Sequence, residues 1–167
     1  MTVFKALAGI GLLALAAWAG AAEPDAAAIK AAHDLLASMQ ADKKMRMTAG
    51  MSHYADAAQR QMVLAKIDKV PAEEIYRRLA PSVARLLTPE TAAEMTRFYQ
   101  SSYGKRVLAQ AYNSGPSMYA MPPTPTPAEK AALKLPAYEK AEKAFRNAEP
   151  AIDHQTFVLM NELAHAK

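Results

Sequence analysis

The chain has 167 residues, 20 basic against 16 acidic side chains, a formal net charge of +4 and no cysteine. That composition excludes disulfides, a thiolate nucleophile, cysteine-held metals and the lipid-modified cysteine of a bacterial lipoprotein. It also lacks the dense basic footprint of a nucleic-acid binder, so nucleic acid is not an expected partner.

Met1 to Lys5 carry one positive side chain, and Ala6 to Ala22 is an uncharged run closed by Glu23-Pro24-Asp25. Ala19-Gly20-Ala21 and Gly20-Ala21-Ala22 both fit the small-x-small pattern that a signal peptidase reads. The expectation is an export signal over residues 1–22, cleaved near Ala21 or Ala22, and a periplasmic address. The run is dominated by alanine and glycine, which are weakly apolar. It sits at the short edge of the roughly 17–25 residues that cross a bilayer, so it is not read as a stable membrane anchor. No twin-arginine pair occurs, which points to export as an unfolded chain without a preloaded cofactor. Lys5 leaves with the signal, so the net charge falls from +4 to +3. That suffices for solubility and, at most, loose contact with anionic lipid headgroups.

Beyond the signal, apolar residues recur at helical spacing. Ile29, Ala32, Leu36 and Met39 mark one face of a first helix, and Asp42-Lys43-Lys44 is the expected turn after it. Met47, Met51, Tyr54, Ala58, Met62 and Ala65 then form one long stripe, the second arm of a helical hairpin. A third helix opens at Pro71, since proline suits the first helical position. Ile75, Leu79, Val83 and Leu86 continue its apolar face, and Pro81 is expected to kink or restart it. Thr88-Pro89-Glu90 is a helix start with a threonine cap. That helix carries Met95, Phe98 and Tyr99, and Ser102 is the expected cap of a following helix that buries Val107, Leu108, Ala111 and Tyr112. Five prolines between Ser114 and Pro127 make an extended connector. Thr126-Pro127-Ala128-Glu129 is a capping box that restarts the helix. From there Tyr138, Ala141, Phe145 and Ala148, then Ile152, Thr156, Leu159 and Leu163, line the inner side, with breaks expected at Pro136 and Pro150. Glu139/Lys143 and Glu142/Arg146 are ion-pair spacings on the wet side.

The stretch Thr88 to Tyr112, TPETAAEMTRFYQSSYGKRVLAQAY, resembles the signature region of the DUF2059 family of exported bacterial proteins. Phe98-Tyr99, Ser101-Ser102, Gly104 and Lys105 occupy the places of that signature, with Tyr103 where proline is usual, and His33-Asp34-Leu35-Leu36 is similar to the family's opening. The resemblance covers residues 23–113. It implies an all-helical exported protein and no assigned reaction. Gly104 itself is explained by a tight helix-to-helix junction that needs a small residue.

Few side chains point to chemistry. Met45, Met47, Met51 and His53 are types that hold copper(I). At ~100° per residue, however, Met47 and Met51 lie on the apolar stripe while Met45 lies ~160° from Met47. They are read as core packing. His33, His53, His154 and His165 lack the spacing of a zinc site and are read as surface or cap histidines. No G-x-S-x-G elbow and no glycine-rich phosphate loop occur. Glu73-Glu74 in a first helical turn complement the helix dipole. No catalytic, cofactor-binding or metal residue is assigned, no cofactor is expected, and the chain is not read as an enzyme. Lys43-Lys44-Met45-Arg46 is read as a solvated basic turn, and the apolar stretch Asn113 to Met121 as packing on the bundle.

The expectation is therefore an all-α antiparallel helical bundle of about six to seven helices. Residues 1–22 are the signal, 23–113 the helical domain, 114–127 the proline connector, and 128–167 C-terminal helices that pack back on the bundle. The expected role is binding in the bacterial envelope, to an envelope protein or by self-association. The alternative is a periplasmic carrier of a small ligand or metal in a methionine- and aromatic-lined pocket between helices.

Overall fold

A computed structural model describes residues 23–113 and 121–166, which form eight α-helices and no strand. The export signal expected at 1–22 and residues 114–120 of the connector lie outside the described residues.

Helix α1, Ala26–Ser38, starts where the Asp25 carboxylate accepts the Ala28 amide at 2.7 Å. It buries Ala32, Leu35 and Leu36, with Met39 just beyond its end. The expected turn at Asp42-Lys43-Lys44 lies earlier. Gln40 takes the left-handed conformation at φ 56°, and Asp42 already sits in the first turn of α2, Ala41–Met51. The expected long stripe is also interrupted, because α3 begins separately at Ala57 and runs to Asp68.

That interruption changes the phase. Ala41, Met45 and Ala49 are the buried residues of α2, whereas Met47, Met51 and Met62 are exposed. The core role expected of Met47 and Met51 thus belongs to Met45. The cause is local hydrogen bonding: the Tyr54 hydroxyl donates to Ala49 O at 2.8 Å, and Asp56 accepts the Gln59 amide at 2.7 Å. Together they end one helix and start the next, which apolar spacing alone does not register.

Helix α4, Ala72–Ala84, has Pro71 as its cap rather than its first residue. Pro81 remains inside the helix without restarting it. The carbonyl it frees is that of exposed Arg77, on the solvent side. The helix stops at Ala84, so Leu86 is exposed and Leu87 takes the buried place. In α5, Pro89–Gln100, the Thr88 hydroxyl accepts the Thr91 amide at 3.2 Å. The cap of α6, Ser102–Asn113, is Ser101 and not Ser102: its hydroxyl accepts the Gly104 amide at 3.0 Å. Leu108 is buried on α6, and Ala111 is exposed.

Helix α7, Pro127–Ala132, is a short piece behind the Thr126/Glu129 capping box. Pro136 begins α8, which continues to His165 through Pro150 without a break. Its 30 residues span ~45 Å. Pro150 is exposed, so water can reach the carbonyl it leaves unbonded. The inner face of α8 buries Ala141, Phe145, Ile152, Thr156, Leu159 and Met160. The Thr156 hydroxyl is satisfied by donating to Ile152 O at 2.9 Å.

Helix α1 packs on α4 and α5, and α8 runs back along α5, α4, α3 and α2. One continuous core results, with Leu35, Leu36, Met45, Ile67, Ile75 and Val83 at its centre. The Tyr112 hydroxyl donates to Met39 O at 2.8 Å and ties the end of α6 to the end of α1. Burial pushes that phenol up to about 12. Among the described residues, no helix is long and apolar enough to cross a membrane.

Candidate functional site

The residues singled out for metal chemistry do not converge. The Nε2 atom of His33 is hydrogen-bonded to Glu73 at 2.8 Å, and its ring meets Tyr76 edge-on at 6.0 Å. His165 Nδ1 is bonded to Asn161 O at 2.7 Å, and His53 and His154 lie exposed on different segments. Among the described residues, no group of three or more histidine or carboxylate side chains is placed to hold a metal ion.

The expected solvated basic turn is largely taken up inside the molecule. Lys44 pairs with Asp153 at 2.6 Å and Glu149 at 3.4 Å. Arg46 donates to Ile67 O at 2.6 Å and Val70 O at 2.8 Å, and pairs with Asp68 at 3.5 Å. These cations strap α2 to α8 and to the end of α3. Lys43 stays on the surface.

A cleft forms instead where α5, α6, α7 and α8 meet, and its construction starts at Ser101. That residue ends α5 in an extended conformation, and its hydroxyl donates to Phe98 O at 2.6 Å while accepting the Gly104 amide. One serine thereby bonds the end of one helix to the start of the next. The two backbones come so close that a Cβ on Gly104 would lie 2.0 Å from Phe98 O. Only glycine fits there.

This junction sets Tyr103 against Phe98, with ring centroids 6.1 Å apart at 71°. Tyr138, in the first turn of α8, meets the same phenylalanine at 5.3 Å. Tyr99 backs the group, against Phe98 at 5.0 Å and Phe145 at 6.2 Å. The space in front of Phe98, Tyr103 and Tyr138 is a cleft of about 290 Å³, closed on the far side by Ala132, Leu133 and Leu135. Two further grooves, also lined by Phe98 and Tyr138, adjoin it.

Glu129 fastens α7 over this cleft. It accepts from Ser102 Oγ at 2.7 Å, from the Arg106 guanidinium at 2.8 and 3.1 Å, and from the Thr126 amide at 2.9 Å. The Arg106 hydrogen bond, followed by those of Ser102 and Thr126, holds the Glu129 carboxyl well below the usual carboxylate range. Arg106 in turn lies over the Tyr103 ring at 5.5 Å, within cation–π range. Helix α7 has no buried residue of its own. Its position therefore rests on this carboxylate and on the apolar contacts of the cleft. On the opposite rim Arg97 pairs with Glu94.

Sequence reasoning named Phe98, Tyr138 and Glu129 singly, as a helix-end aromatic, an inner-face residue and a capping-box acid. It did not single out Arg106 or foresee that these side chains meet. The available signal was the grouping of Phe98, Tyr99 and Tyr103 within six residues around the helix junction. What this arrangement can do is enclose an apolar group of one- or two-ring size between aromatic faces. Compared with protein-family models, with curated proteins and with solved structures, the chain matches none of them.

Proposed function

We propose that this chain is an exported helical protein of the DUF2059 type that works in the bacterial periplasm by binding, without catalysis. Its binding site is the aromatic cleft between α5, α6, α7 and α8. The observation that carries this reading is the convergence of Phe98, Tyr103 and Tyr138 from three helices around about 290 Å³ of apolar space. Such concave, mostly apolar sites with a few polar groups are the form that small-ligand sites take. That favours a small-ligand carrier over a flat protein-docking face. Elsewhere the exposed Phe157 lines a smaller groove, of about 170 Å³, whose wall includes the charged Lys44 and Asp153.

The test is a titration with N-phenyl-1-naphthylamine, an uncharged dye that brightens in apolar sites. Saturable binding at one site is expected, together with its loss in Leu135→Glu. Leu135 lines the cleft and is 56% exposed, so the change charges the site without entering the core. Met51→Glu, at a residue 57% exposed on α2, should leave binding as it is. Dye binding that never saturates, or that survives Leu135→Glu, would overturn the reading.

A further inference from the structure

The chemistry of the cleft narrows its ligand. Four charged groups stand on the rim, and they pair among themselves: Arg97 with Glu94, and Arg106 with Glu129. A charged ligand would lose hydration against the apolar wall and have to compete with these pairs for its counter-charge, which disfavours it relative to an uncharged one. The phenols of Tyr103 and Tyr138 differ. Among the described residues neither hydroxyl has a hydrogen-bond partner, although both rings line the cleft. Burial raises the Tyr138 phenol above its ordinary range, which keeps it protonated and able to donate. Neither hydroxyl is a buried orphan, so both reach water, and a ligand that presents acceptor oxygens would take the place of that water and keep both donors bonded.

Size sets the remaining limit. An enclosed apolar cavity of about 150 Å³ takes one benzene ring. A cleft of about 290 Å³ therefore accommodates two fused rings. Three aromatic rings at centroid separations of 5.3 and 6.1 Å around Phe98 favour a flat partner that can stack or meet them edge-on.

We propose that the cleft binds an uncharged, flat ligand of one or two fused rings bearing carbonyl oxygens, quinone-like in chemistry, with Tyr103 and Tyr138 donating to those oxygens. This rests on the cleft being the binding site.

Equilibrium dialysis of the purified protein against three probes of matched shape separates the two ideas. They are 2-methyl-1,4-naphthoquinone, 2-methylnaphthalene and 2-naphthoate. The chain has no cysteine, the side chain that adds to quinones fastest, and recovery of unaltered quinone on back-dialysis distinguishes reversible binding from slow addition to lysine. The quinone is expected to bind tightest and the carboxylate weakest. Tyr103→Phe and Tyr138→Phe should each weaken the quinone about two- to tenfold and leave methylnaphthalene unchanged. Equal binding of quinone and methylnaphthalene, no response to either substitution, or tightest binding of naphthoate would overturn the ligand class and leave the cleft standing. Absence of binding by both uncharged probes, or binding that persists in Leu135→Glu, would overturn the cleft itself.

Discussion

The two consecutive helix pairs α2–α3 and α5–α6 are joined by opposite means. Between α2 and α3 lies the segment 52–56, and α3 buries a single residue, Ile67. Long polar side chains reach across to hold it. Arg46 bonds Ile67 O and Val70 O, Arg60 bonds Gly50 O at 3.2 Å, and Lys66 bonds Ala164 O at 3.1 Å and Ala166 O at 2.8 Å. Between α5 and α6 there is only Ser101, and the backbones nearly touch at Gly104. Flexible arms can follow a helix that shifts by an ångström, whereas a backbone contact cannot. The aromatic cleft is built on the second kind of joint, where ring positions are held within narrow limits.

The two glycines make the sharpest break of that comparison. Gly104→Ala places a Cβ 2.0 Å from a backbone oxygen, so the helices must part. A loss of about 3 kcal/mol, or roughly 10 °C in Tm, is expected in thermal unfolding, with dye binding lost as well. Next in size is Arg46→Ala, which removes two carbonyl bonds from the end of α3. It should cost about 1–2 kcal/mol by urea titration, with hydrogen exchange quickening in α3 and unchanged in α5. Gly50→Ala, on α2, meets nothing within 4 Å. It should therefore stabilise the protein by roughly 0.5–1 kcal/mol, opposite in sign to its counterpart at 104. A destabilising Gly50→Ala would show that the two joints are equally tight.

The smallest effect concerns pH. Because the Glu129 carboxyl is held below the usual carboxylate range, its contribution is present above that range, about pH 4. It is lost only as pH falls through the lowered folded value. The ratio of dye affinities between the unaltered protein and Glu129→Gln should thus be the same at pH 7.5 and pH 5. A ratio that collapses by pH 5 would mean that α7 is not held by this carboxylate.

Where a helix end is governed by its own neighbours, the sequence was legible. Thr88-Pro89 and Thr126-Pro127-Ala128-Glu129 act as the caps their residue types predict. The inner face of α8 also follows its spacing, since Ala141, Phe145, Ile152, Thr156 and Leu159 are all buried. Legibility failed where a side chain reached outside its own helix. Tyr54 turned from a stripe residue into a bond on Ala49 O, and with that Met45 rather than Met47 and Met51 entered the core. The two internal prolines were harder still. Pro81 and Pro150 stay within helices because packing on neighbouring elements outweighs one missing hydrogen bond.

What the amino-acid order determined alone is the helical class and most of the starts and faces, because caps and 3.6-residue periodicity act within a few residues. What only the tertiary structure decided is the site. Phe98, Tyr103 and Tyr138 lie on three helices, and no spacing rule links position 98 to position 138. Their meeting depends on Gly104 letting two backbones touch and on Glu129 adding a bond to Arg106 to its local cap. The first is a joint between two consecutive helices and the second links positions 23 apart, and neither follows from the periodicity of a single helix.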